Sequence, residues 1–223
     1  MLNILGARWQ AAAQPLFAKL GSQLNQLDAG LTAQAVALNS AQWSDLCAYL
    51  DLLVTWNKKL DLTAASSTDE LLDLVLSDAV VLAQFVAVKA QCIDVGAGAG
   101  APGAALAILR SDLAVTLVEP MQKRVAFLRA LTGSLHSARL QVVRARSDGL
   151  PSQGCDVALS RATFEPSEWL REGSRLATRE VWLLLARSEA PQWPGWALEL
   201  DVPYQWPLGG APRRALKYVR KIP

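Results

Sequence analysis

The residues with chemical potential gather around one stretch, Cys92 to Gly103, which reads Cys-Ile-Asp-Val-Gly-Ala-Gly-Ala-Gly-Ala-Pro-Gly. Asp94 sits inside a short apolar run, and Gly96, Gly98 and Gly100 then alternate with alanine. Alternating glycines let a backbone turn tightly and approach a ligand with no side chain in the way. Pro102 suits the first turn of a following helix, where its missing N–H costs nothing. A strand, a glycine loop and a helix in this order bind a nucleotide-like ligand at the carboxyl end of a parallel sheet.

Later positions fit the same ligand. Glu119 follows a second apolar run, where a carboxylate can accept hydrogen bonds from both ribose hydroxyls of an adenosine. Ser147 and Asp148 follow a third run, and Asp148 can accept from an adenine amine or simply make the turn before Gly149. Arg161, in Ser160-Arg161-Ala162, follows a fourth, and its fork can hold a carboxylate or a phosphate. A buried salt bridge is the competing use of Arg161. Near the end, Arg213, Arg214, Lys217, Arg220 and Lys221 offer contacts to nucleic-acid phosphates or make a plain basic strand. Lys123, Arg124 and Arg129 share one helix and read as a solvated face.

These residues need elements to position them. Residues 1–87 read as helices: one over 9–27 with Leu16, Leu20, Leu24 and Leu27 at helical spacing, weakened by Pro15 and Gly21. A second covers 38–60, with Trp43, Leu46, Leu50, Leu53 and Val54 on one face. A third starts at a Ser67/Glu70 capping box and runs to about 86. Strands at 93–95, 114–118, 140–143, 157–159 and 181–185 then alternate with helices at 102–110, 121–131 and 167–176, with a short segment at 147–150. That rhythm predicts right-handed crossovers and a parallel sheet with helices on both faces. Two last strands, 198–202 and 215–219, are separated by prolines and glycines and no helix, which suits an antiparallel pair. The expectation is a seven-stranded, mostly parallel sheet, with a helical extension over residues 1–88 packed against a sheet domain over 89–223 as one unit.

Composition narrows the function classes. At 223 residues, with 52% hydrophobic and 19% charged positions, the chain can bury a full core. A net charge of +2 is compatible with an anionic partner without demanding one. Three scattered cysteines and the single His136 offer no metal-ligand spacing, so no metal is expected; Cys92 and Cys155 read as core thiols and His136 as a surface residue. No signal segment or membrane-length apolar run is seen, so a monomeric, soluble, cytoplasmic protein is expected.

Two cofactors compete for the glycine loop. Read from Gly98, the residues match the dinucleotide pattern G-x-G-x-x-G, but in that fold the first glycine follows the strand directly and Gly98 comes late. Read from Asp94, the pattern acid-x-G-x-G-x-G resembles motif I of class I S-adenosylmethionine (SAM) methyltransferases. The terminal antiparallel pair favours SAM as well. The expected fold is α/β, the class I SAM-dependent methyltransferase (Rossmann-like) fold.

The glycine loop, Glu119 and Ser160-Arg161-Ala162, joined to Trp56-Asn57-Lys58-Lys59-Leu60-Asp61-Leu62-Thr63-Ala64, resemble the RsmG (GidB) family over roughly residues 45–220. Those enzymes use SAM to methylate a guanine N7 of bacterial 16S rRNA near the decoding centre. The resemblance implies that Gly96, Ala101, Ser147, Asp148 and Arg161 contact SAM and that Glu119 holds the ribose. Asp94, Gly98 and Gly100 belong to the same motif. It implies no dedicated catalytic side chain, since guanine N7 attacks without first losing a proton. Arg187 stands near the place of a family lysine after the fifth strand; with Arg213, Arg214 and Lys217 it is a candidate for the RNA side. The chain departs from the family at Leu72-Asp73-Leu74-Val75, where Arg-His is usual, and at Ala99, where proline is usual. A methyltransferase with another RNA or small-molecule substrate, a non-catalytic SAM- or ribosome-binding protein, and an NAD oxidoreductase are the rival readings.

Overall fold

The computed structural model describes residues 4–26, 37–186 and 188–221. Among the described residues, helical segments precede the sheet. Helix α1 (Ile4–Asn25) continues through Pro15, because Ala13, Leu16, Leu20 and Leu24 are buried along one face. Leu27 lies outside the described residues. Helix α2 (Ser40–Leu60) starts at a full capping box, with Asn39 and Gln42 each bonding the other's backbone. Leu46, Leu50 and Leu53 of α2 are buried and Trp43 is half-buried, whereas Val54 faces outward.

Ser67 caps α3 (Thr68–Leu72) through Glu70 N, but Glu70 reaches back to Ser66 rather than Ser67, so half of the expected box forms. The helix then passes through a π-helical turn (Asp73–Ser77) into α4 (Asp78–Phe85). Hydrogen bonding from i to i+5 stacks residue i+5 over residue i, which brings Asp73 and Asp78 toward one side. Both are buried, and both face the C-terminal hairpin, as described below.

The remaining elements are β1 (Gln91–Val95), α5 (Gly103–Leu109), β2 (Ala114–Val118), α6 (Gln122–Ser134), β3 (Leu140–Val143), β4 (Cys155–Arg161), α7 (Pro166–Leu176), β5 (Ala177–Leu185), β6 (Trp196–Gln205) and β7 (Pro212–Arg220). They build one seven-stranded sheet in the order β3-β2-β1-β4-β5-β7-β6. The first five strands run parallel, and β7 and β6 add an antiparallel pair. Strand β6 continues past Pro203, where the sequence suggests a break; as the edge strand it can lose one N–H without breaking a central ladder. The strand order reverses direction between β1 and β4, so a crevice opens beyond their carboxyl ends.

On one face, leucines of α1 and α2 share a single apolar cluster with Leu106, Leu117, Phe127 and Leu159. The other face packs Ile93, Val95, Ala158 and Leu216 against Trp169 and Leu170 of α7. Among the described residues no helix is long and apolar enough to cross a membrane, and no group of side chains is set to hold a metal ion.

Candidate active site

Asp94 lies at the centre of the sheet and is buried. Its Oδ2 accepts from Gly103 N at 2.8 Å, which ties the end of the glycine loop to β1. A Cβ on Gly103 would lie 2.6 Å from that oxygen, so glycine is required for this close approach. Burial pushes the Asp94 carboxyl up to about 7, against the lowering influence of the Gly103 amide and of Arg161.

The loop between them takes positive φ at Gly96, Gly98 and Gly100. Its donors turn inward. Gly96 N and Ala97 N both donate to Val118 O, at 2.9 and 3.1 Å. Gly98 N donates to Glu119 Oε2 at 3.0 Å, and Gly100 N to Ala97 O at 2.7 Å. A loop that cradles a pyrophosphate aims its N–H groups at the ligand. Here the N–H groups of Gly96, Ala97, Gly98 and Gly100 are spent on Val118 O, on Glu119 and on the loop itself, which suits a ligand without phosphates at that point. Tyr49 closes the loop from behind, donating to Ala99 O at 2.7 Å, and burial raises its phenol well above the ordinary value.

Outside the loop lies a cavity of about 410 Å³, lined among others by Gly96, Gly98, Ala101, Arg161, Trp206 and Arg213. That is within the roughly 300–1,000 Å³ range of small-ligand sites. Leu62, Thr63 and Ala64 form part of its rim. Asn57 fixes them, giving its amide to Thr63 O and accepting from Thr63 N at 3.0 and 2.8 Å. The Trp56–Ala64 segment thus enters the site through its last three residues, with Trp56 packed edge-on to Phe127.

Arg161 ends β4 at the strand-order reversal. Its Nη1 donates to Asp78 Oδ2 at 2.9 Å and to Leu74 O, in the π-helical turn, at 2.7 Å. The salt bridge anticipated as a competing use therefore exists, and Arg161 lines the cavity at the same time. Asp78 Oδ1 accepts from Tyr204 at 2.6 Å and from Trp206 Nε1 at 3.3 Å. Burial first, then the Asp78 carboxylate, raises the Tyr204 phenol well above its ordinary value and keeps it a donor.

The other anticipated residues are spread out. Asp94, Gly100 and Glu119 do not line the cavity. Glu119 is buried, its Oε1 accepts from Met121 N, and Arg124, expected on a solvated face, reaches the cavity with Nη1 3.9 Å from Glu119 Oε2. Ser147 and Asp148 occupy a short turn after β3, where Asp148 is exposed and faces Arg146 at 3.6 Å. Arg187 lies outside the described residues. The basic cluster of β7 is divided: Arg213 lines the cavity, Arg214 pairs with Asp201, and Lys217, 12% exposed, is held by Glu180 and Glu199 at 3.3 and 3.4 Å. His136 is exposed, and its backbone N–H is held by Asp45. Sequence reasoning missed Asp78 and Trp206. A lone acid inside the apolar run from Val75 to Leu82 was the available signal for the first.

A five-stranded parallel sheet closed by an antiparallel pair, with an acid-anchored glycine loop at its reversal point, is the class I SAM-dependent methyltransferase fold. TrmN from Thermus thermophilus shares the fold at a TM-score of 0.52 and 20% identity, covering 77% of this chain and 52% of that one. A SAM-dependent methyltransferase from Aquifex aeolicus does so at 0.51 and 14% identity, covering 76% and 98%. The family model described as GidB, rRNA small subunit methyltransferase G, matches residues 42–192. Ribosomal RNA small subunit methyltransferase G of Anaeromyxobacter dehalogenans is 37% identical over 150 residues, 66% of this chain and 69% of that protein. The protein of the same name from Methylobacillus flagellatus is 33% identical over 168 residues, 75% of this chain and 82% of its own length. The chain belongs to the GidB (RsmG) family.

Proposed function

We propose that the protein is a SAM-dependent methyltransferase that methylates a guanine N7 in the 16S rRNA of the small ribosomal subunit. The observation that carries this reading is the inward-turned glycine loop facing Arg161 across one cavity. The fit to SAM rests on chemistry: a phosphate-free wall at Gly96, Gly98 and Ala101, a guanidinium at Arg161 for a carboxylate, and apolar sides from Leu62, Leu74, Leu184 and Leu185. When bound, SAM supplies a methyl group made electrophilic by its sulfonium.

Each residue then has a definite task. Arg161 holds the amino-acid end with the N–H groups that Asp78 and Leu74 leave unused. Asp94 keeps the loop in shape by gripping Gly103. Glu119, which accepts from Gly98 N and Met121 N, shapes the loop that meets the ribose. Ser147 and Asp148, in the turn after β3, are assigned to the adenine, and Gly100 lets the chain turn.

Guanine N7 carries a free lone pair, so no side chain has to remove a proton. The acids at the site are engaged already: Asp94 by Gly103, Glu119 by Gly98 and Met121, and Asp78 by Arg161, Tyr204 and Trp206. That arrangement suits catalysis by alignment and water exclusion rather than by general base. The test pairs calorimetric titration of S-adenosylhomocysteine (SAH), with NADH as control, with methylation of small subunits that lack the modification. The expected result is SAH binding alone and strand scission at one guanine after reduction and aniline treatment. NADH binding would overturn the cofactor; methylation without guanine-specific scission would overturn N7.

A further inference from the structure

Trp206 and Arg213 form a stack at the cavity. The Arg213 guanidinium carbon sits 3.8 Å from the centroid of the Trp206 ring, and both residues line the cavity with the glycine loop and Arg161. Arg214, Lys217, Arg161 and Arg124 each face a carboxylate, whereas Arg213 has no carboxylate partner among the described residues. Its Nη1 donates only to Pro212 O, at 2.9 Å.

The stack is held from several sides. Asp78 accepts from Trp206 Nε1, and Trp206 exchanges backbone hydrogen bonds with Gly210 and Ala211 across the hairpin turn. Asp73 accepts from Leu208 N and Gly209 N, the latter at 2.6 Å. Helix α1 braces the same turn, with Lys19 Nζ on Pro207 O at 3.2 Å and Gln23 Oε1 accepting from Gln205 N at 2.8 Å. The Trp206 ring is half-buried against the core, and the half-buried Arg213 guanidinium stacked on it lines the cavity beside it.

We propose that this pair is the seat for the target base, which stacks on Arg213 backed by Trp206. The proposal rests on the rRNA reading of the site and names the residues that position the purine. A planar, delocalised cation stacked on an aromatic ring offers a flat surface to a nucleobase, and its unpaired charge attracts a polyanion. A phosphate contact made as a point charge, by contrast, is one that lysine can also supply. Arg213→Lys therefore separates the two.

The experiment measures SAH affinity by calorimetry, and KM and kcat on unmethylated small ribosomal subunits, for the wild type and for Arg213→Lys, Trp206→Ala and Trp206→Phe. Arg213→Lys and Trp206→Ala are expected to raise KM about tenfold or more, as for loss of a stacked base contact. SAH affinity should stay within about twofold in Arg213→Lys, which keeps a cation at the cavity wall and leaves the Trp206–Asp78 hydrogen bond in place. Trp206→Phe should retain most of the wild-type KM, since phenylalanine keeps the ring. A wild-type KM in Arg213→Lys would overturn the seat in favour of a phosphate contact. Wild-type protein that binds SAH yet leaves the rRNA unmethylated would overturn the functional reading itself, and the seat with it.

Discussion

Arg161 Nη1 lies 2.9 Å from Asp78 Oδ2, with the Arg161 side chain 18% exposed and that of Asp78 1% exposed. The pair joins the end of β4 to the start of α4, and Asp78 extends the link through Tyr204 and Trp206 to the hairpin. One buried carboxylate thus fixes both the arginine in the cavity wall and the hairpin loop opposite.

Asp78→Ala removes one partner of that pair and strands a largely buried guanidinium. The expected cost is about 3–5 kcal/mol, a fall in Tm of roughly 10 °C. Thermal unfolding with and without SAH measures it, and SAH affinity should fall as well. An unchanged Tm would show that the pair holds nothing in place.

Gly96 adopts φ +77°, and a Cβ there would come within 2.2 Å of Thr163 Oγ1. Gly96→Ala should weaken SAH binding in calorimetric titration by distorting the cavity wall. The double variant Gly96→Ala/Thr163→Ala relieves the contact but not the left-handed backbone, so it should recover only part of the loss. Gly103→Ala meets Asp94 and Leu117 instead and should destabilise the fold by about 1–3 kcal/mol through overpacking.

The raised carboxyl of Asp94 makes stability fall with rising pH. The folded state keeps this proton up to about 7, whereas the unfolded chain releases it near the ordinary value of 3.8. Between those two values the folded state binds more protons, so its advantage declines as pH rises and levels off above the upper one. Asp73, also raised, chiefly by burial, acts in the same direction. Asp94→Asn keeps an acceptor for Gly103 N and should flatten the change in denaturant midpoint between pH 5 and 8 measured on the wild type.

Asp45 provides a contrast far from the cavity. It is buried and accepts from His136 N, Ser137 N and Ser137 Oγ at the end of α6. Asp45→Ala should cost about 1–3 kcal/mol by leaving these donors unsatisfied. SAH affinity at low temperature should match the wild type, because none of these residues lines the cavity.

The sequence by itself determined the elements and the loop. The apolar runs at 114–118 and 140–143 correspond to β2 and β3 without change, because short runs bounded by turns carry their own strand signal. The glycine spacing forecast a tight backbone turn, because Gly96, Gly98 and Gly100 take left-handed torsions that other residues rarely adopt. The prolines and glycines before Pro212 likewise forecast the antiparallel pair. The tertiary structure alone decided which groups meet. Asp78 lies 83 positions before Arg161 and 126 before Tyr204, a separation over which periodicity carries no information. Arg213 and Arg214 look alike in the sequence, yet the pleat sends one to the cavity and the other to Asp201. Pro203 signals a strand end locally, but an edge position lets β6 run through it. Local torsional preference is written residue by residue, whereas partnership depends on where the whole chain closes.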